Sequence, residues 1–249
     1  RQACFVIMQL CEGLDYAHNK RDSQGIELHL VHRDISPQNI LISYEGEIKL
    51  IDFGIAKAAG RASKTQAGIL KGKFGYMSPE QVRGMGLDRR SDIFSLGIIL
   101  YELMTHDRLF LAESDFSILE KIRNVEIPPP SQRNPELPRE LEGILMRALA
   151  REPEDRYQSA AELHDDLQKF MFTSGLFYTR KDLAGWMHEM FAADIEAEQG
   201  KLEEYRLLTP PPGAISRPDI RIAPAEGGGA VPPAPPAGGW PATPPPLPA

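Results

Sequence analysis

From Arg1 to about Asn19, the apolar positions Phe5, Met8, Leu10, Leu14 and Tyr16 recur at helical spacing and predict an amphipathic helix. A polar stretch, Lys20 to Glu27, follows. Residues Asn39 to Ile42 and Ile48 to Ile51 read as two short strands joined by a turn at Tyr44-Glu45-Gly46-Glu47. Such a hairpin would bring Asn39 and Asp52 together at its open end. Residues 55 to 80 are rich in Gly, Lys and Ala with little periodicity, which predicts a loop. Ser91 is the expected cap of a helix whose run Ile93 to Leu103 is apolar on nearly every side, the pattern of a helix buried at a domain centre. Further helices are expected over Asp115 to Asn124, Pro138 to Ala150 and Ala160 to Phe170, with prolines 128 to 130 interrupting the chain between the first two. The pattern is mainly α with short β-hairpins.

Beyond Phe170 the character changes. Thr179-Arg180-Lys181-Asp182 has capping-box-like spacing ahead of a stripe of Leu183, Trp186, Met187, Met190 and Phe191, expected to pack as core. A charged helix is expected to continue to about Leu208. From Thr209 onward, fourteen of the 22 prolines fall within 41 residues rich in Gly and Ala. That composition buries too little apolar surface to offset ordering entropy and predicts a disordered tail. The tail is either a linker or a polyproline II ligand for a Pro-rich-motif binder. The expected organisation is therefore 1–170, 171–208 and 209–249.

Composition narrows the function. A net charge of -7 argues against nucleic-acid binding as a main activity, which needs a basic face. No apolar run reaches the roughly 18 to 20 residues that span a bilayer. Cys4 and Cys11 lie two helical turns apart on one face, too far to bridge, and read as buried free thiols of a reducing, cytoplasmic compartment.

The chemistry is concentrated in two strings, His32-Arg33-Asp34-Ile35-Ser36-Pro37-Gln38-Asn39 and Asp52-Phe53-Gly54. An acid, an amide five positions later and a second acid before a glycine are what phosphoryl transfer from a magnesium nucleotide requires. These strings resemble the catalytic loop and metal-binding motif of eukaryotic-type protein kinases, and the resemblance runs from Arg1 to about Phe170. Pro37 and the Glu154-Asp155-Arg156-Tyr157 segment look like the bacterial, Hanks-type serine/threonine members.

The resemblance implies ATP and Mg2+ as cofactors and protein substrates as partners. It implies Asp34 as catalytic base, and Asn39 and Asp52 as ligands of metal and nucleotide. Phe53 and Gly54 would pack and hinge Asp52, and His32 would be structural. Arg33 would receive a phosphorylated loop residue, with Ser63 and Thr65 the candidates. Glu80, in Ser78-Pro79-Glu80, would pair with Arg156, and Asp92 would hold the catalytic loop.

Two positions depart from the family pattern. Ser36 stands where serine/threonine members place a lysine, and Lys73 where they place a threonine. The Lys73 ammonium is expected to assume the charge role vacated at position 36. No Gly-rich loop or strand lysine precedes His32, so the sequence is expected to be the large, C-terminal lobe without the small lobe. A pseudokinase scaffold is the alternative. A small-molecule phosphotransferase would lack the segment ending at Ser78-Pro79-Glu80.

Overall fold

The computed structural model describes residues 1–53 and 74–207. Among these, eight α-helices and one two-stranded antiparallel sheet form in the order α1 (Gln2–His18), β1 (Ile40–Ile42), β2 (Ile48–Leu50), α2 (Pro79–Val82), α3 (Arg89–Thr105), α4 (Asp115–Asn124), α5 (Arg139–Ala148), α6 (Ala160–Thr173), α7 (Arg180–Met190) and α8 (Ala192–Leu207). The chain divides into a unit Arg1–Gln199 and a second unit beginning at Gly200. No described helix is long and apolar enough to cross a membrane.

Helix α3 is the axis of the first unit. Every residue from Ser91 to Tyr101 is buried, because α1, α5 and α6 all pack on it. The approach is closest at Gly97, where an added Cβ would lie 2.9 Å from the Leu149 side chain. The cap differs from the one expected. Asp88 is the N-cap and accepts from the Arg90 N–H at 2.8 Å, while the Ser91 hydroxyl donates instead to Glu80 at 2.6 Å. A charge-assisted bond inside the core is stronger than a neutral cap at the surface, so Asp88, three residues before Ser91, caps the helix instead.

Helix α1 packs along α6 and buries Cys4, Ile7, Leu10, Cys11 and Leu14. Both thiols are free, and burial pushes the Cys11 thiol far up, with Asp15 and Glu12 adding to it. Tyr16, read as part of the apolar face, points to solvent. Ser114 and Ser159 cap α4 and α6.

The hairpin pairs Ile40 with Leu50 and Ile42 with Ile48. Two strands alone are marginal in water; here α7 covers the turn. Thr179 and Asp182 form a reciprocal capping box that starts α7. Leu183 and Met187 then bury against Phe5, Tyr44, Ile48 and Tyr178. Arg180 donates from Nε to the Glu45 carbonyl at 3.0 Å and pairs with Glu47 at 3.1 Å. The rest of the expected stripe is not core: Trp186 is 39% and Met190 61% exposed.

Gly46 makes this contact possible. Its φ is +74°, and a Cβ there would lie 2.4 Å from the Arg180 carbonyl oxygen and 3.0 Å from the Ala184 nitrogen. Both obstacles are backbone and cannot swing aside. Gly46→Ala is expected to destabilise this docking by more than about 1 kcal/mol. Hydrogen exchange of the α7 amides should accelerate; unchanged protection would mean that the turn does not hold the helix.

Candidate active site

Asp92, in the first turn of α3, organises the site from beneath. Its carboxylate is 1% exposed and takes three contacts. Oδ2 lies 2.8 Å from the His32 backbone nitrogen and 2.8 Å from His18 Nε2, and Oδ1 accepts from the Arg33 N–H at 2.9 Å. A buried carboxylate needs such donors, since leaving it without them costs several kcal/mol. His18 was not singled out by sequence reasoning. The available signal was its position four residues after Leu14, which puts a polar ring on the buried face of α1.

His32 is fully buried between the two strings. Its Nε2 lies 2.9 Å from the Ile51 carbonyl, and its Nδ1 accepts from the Asp34 N–H at 3.3 Å. Its ring lies 4.6 Å from that of Phe53. One imidazole thus touches the residues on either side of Asp52 while fixing the peptide before Asp34.

Asn39 closes the arrangement. Its Nδ2 donates to the Asp34 carbonyl at 2.6 Å and approaches Asp34 Oδ2 at 3.2 Å. Its own carbonyl accepts from the Ile51 N–H at 2.9 Å, extending the hairpin ladder to the residue before Asp52. The structure therefore brings Asp34, Asn39 and the segment carrying Asp52 into one hydrogen-bonded unit. Arg33 and Asp52 both adopt left-handed backbone, with φ of 67° and 60°. Each conformation costs about 1–2 kcal/mol for a residue with a Cβ, and persists only where the surroundings dictate it.

With Nδ2 engaged by Asp34, the Oδ1 of Asn39 is the end left for a cation, and the Asp52 carboxylate is exposed. Two hard oxygen donors are what a protein typically offers Mg2+, which takes its other ligands from phosphates and water. The residues fit that ion. Ser36 is buried, and its hydroxyl has no hydrogen-bond partner among the described residues. Gly54, Ser63, Thr65 and Lys73 lie outside the described residues.

Glu80 and Arg156 meet at the far side of α3. Arg156 Nη1 and Nη2 donate to the two Glu80 oxygens at 2.8 and 3.0 Å. Burial pushes the Glu80 carboxyl up, but the hydrogen bonds and charge of Arg156, with the Ser91 hydroxyl, outweigh it and hold the carboxyl below its ordinary value. Next to Glu80, Gln81 was also not anticipated. Its side chain accepts from the Ser78 N–H and donates to the Arg33 carbonyl, both at 2.9 Å. The S-x-x-Q spacing of a capping box was the legible half of that role.

The helical fold, the hairpin and this cluster among the described residues are those of the protein kinase class. Residues 1–167 match the family model described as protein kinase domain, and the chain belongs to that family, whose members use ATP with Mg2+. It is 47% identical over 166 residues to the tyrosine-protein kinase MasK of Myxococcus xanthus (strain DK1622), covering 67% of this chain and 26% of MasK. It is 40% identical over 168 residues to the serine/threonine-protein kinase PknB of Mycobacterium leprae (strain TN), with the same coverage of 67% and 26%. The chain thus spans about a quarter of the length of these curated relatives. Among solved structures it is similar to the Mycobacterium tuberculosis PknI kinase domain, with 28% identity and a TM-score of 0.47 over 68% of this chain and 53% of that one.

Proposed function

We propose that these residues form the large lobe of a serine/threonine protein kinase that transfers the γ-phosphate of ATP to protein hydroxyls. The observation that carries this reading is the Asn39 side chain, which bonds Asp34 while its backbone carbonyl holds Ile51 beside Asp52. Asp34 orients the acceptor hydroxyl and takes its proton as the oxygen bonds to the γ-phosphorus. The bond from that phosphorus to the β–γ bridging oxygen breaks, and ADP leaves with the electron pair. Asn39 and Asp52 would hold the metal, which when bound would supply positive charge to neutralise the phosphate oxygens. His32 and Asp92 fix the loop beneath. Lys73 as the cation replacing a lysine at Ser36, and Arg33 as the receptor for phosphate on Ser63 or Thr65, belong to the same proposal, as does a cytoplasmic location.

In this reading a small lobe covers the nucleotide, so the activity belongs to the full-length protein. Incubated with γ-labelled ATP, Mg2+ and a generic protein acceptor, the full-length protein is expected to yield phosphoserine and phosphothreonine. Nucleotide binding without incorporation would favour the scaffold alternative. A tyrosine acceptor is the second reading. It is favoured by the name of the Myxococcus relative, although the residues between Asp34 and Asn39 differ from those usual in tyrosine kinases. Phosphotyrosine as the dominant product would establish it.

A further inference from the structure

We propose that Gln81 is a positioning residue that couples the Ser78-Pro79-Glu80 anchor to the catalytic acid, an inference that rests on the kinase reading above. The capping box of α2 uses only one end of this side chain. Ser78 Oγ accepts from the Gln81 N–H at 3.4 Å, and Gln81 Oε1 accepts from the Ser78 N–H at 2.9 Å. A glutamate would serve that box equally well. The amide hydrogens are surplus to the cap, and Nε2 delivers one of them to the Arg33 carbonyl oxygen at 2.9 Å, across 48 residues of sequence.

That carbonyl belongs to the peptide unit joining Arg33 to Asp34. The N–H of the same unit donates to His32 Nδ1, and the preceding N–H, that of Arg33, donates to Asp92. Arg33 is held at φ 67°, a conformation that needs constraints on both sides to persist. Asp92 clasps the amino side and Gln81 the carbonyl side. Turning this peptide plane swings the Cα–Cβ bond of Asp34, and a displacement near 1 Å at a reacting group costs up to about a hundredfold in rate.

The neighbouring Glu80 is locked to Arg156 and Ser91, so Gln81 projects from a fixed base. The described segment Phe74–Ser78 thereby bears on Asp34 through one amide.

The test uses Gln81→Glu in the full-length protein, which keeps the cap acceptor and removes the donor to Arg33. It is expected to lower kcat about tenfold, to leave KM for ATP and the melting temperature near parental values, and to accelerate hydrogen exchange in residues 32–39. Ser78→Ala breaks the hydroxyl half of the cap and leaves the Gln81 amide on Arg33. It is expected to lower the melting temperature and keep kcat within twofold. A Gln81→Glu protein with parental kcat and parental exchange overturns the proposal. So does a folded Ser78→Ala protein whose kcat falls about tenfold, a measurement that stands even if Gln81→Glu fails to fold. The exchange measurement needs no turnover, so failure of the kinase reading would appear separately, as an inactive parent.

Discussion

Asp34→Asn in the full-length protein is expected to reduce phosphoryl transfer by about 10²–10⁴-fold, the usual contribution of a positioned general base. The substitution preserves shape. The Asn39 bond to the backbone carbonyl at 2.6 Å and the His32 contact with the backbone N–H survive it, so the peptide around position 34 keeps its anchors. What disappears is the capacity to accept a proton near neutral pH. Loss should therefore appear in kcat, with KM for ATP little changed, because Asn39 and Asp52 are untouched. Steady-state kinetics at saturating ATP, together with binding of a non-hydrolysable nucleotide, separate these effects. A variant retaining more than a tenth of the parental kcat would mean that the proton goes elsewhere.

The same site shows how far the sequence reached. Two short runs rich in Ile and Leu and a Gly-containing turn placed the hairpin to within one residue, because both strand ends are set by local pairing. Helix α4 was legible to its ends, since apolar spacing and its terminal residues agree. Tertiary competition was not legible. Ser91 has the chemistry of a cap, yet its hydroxyl goes to Glu80, eleven residues back and brought near only by the folding of α2 against α3. The stripe on α7 had the right period but gave no width. The helix rests on a single turn, so the row Leu183 and Met187 is covered while the adjacent row, Trp186 and Met190, remains outside it. His18 and Gln81 escaped for a related reason. Each acts through one long-range bond, and spacing along the chain shows that such a side chain is turned inward or caps a helix but not which distant partner it meets.

Removing Arg156 is expected to have the largest effect on stability. All five guanidinium N–H groups are engaged: Nε with Ala150, Nη1 with Glu80 and the Arg90 carbonyl, Nη2 with Glu80 and the Arg151 carbonyl. The guanidinium also lies 4.7 Å from the Phe94 ring centre. Arg156→Met strands a buried carboxylate and three carbonyls together. Breaking a buried pair in this way costs about 3–5 kcal/mol, or a fall in melting temperature of about 10 °C or more for a domain of this size. Lysine is no substitute, because one ammonium offers three donors without the planar fork.

Glu80→Gln, which keeps one acceptor oxygen, should lose less than Arg156→Met. Neither loss should change between low and high salt, since the pair is shielded from the screening that weakens surface pairs. The pH dependence has a defined sign. The Glu80 carboxyl titrates below its ordinary value of 4.5 when folded, so its stabilising contribution is present above that pH and disappears as pH falls through the folded value. Parent and Glu80→Gln should therefore differ most at neutral pH and converge on acidification. A melting temperature within 2 °C of the parent for Arg156→Met would contradict the buried pair as the anchor of α2 on α3.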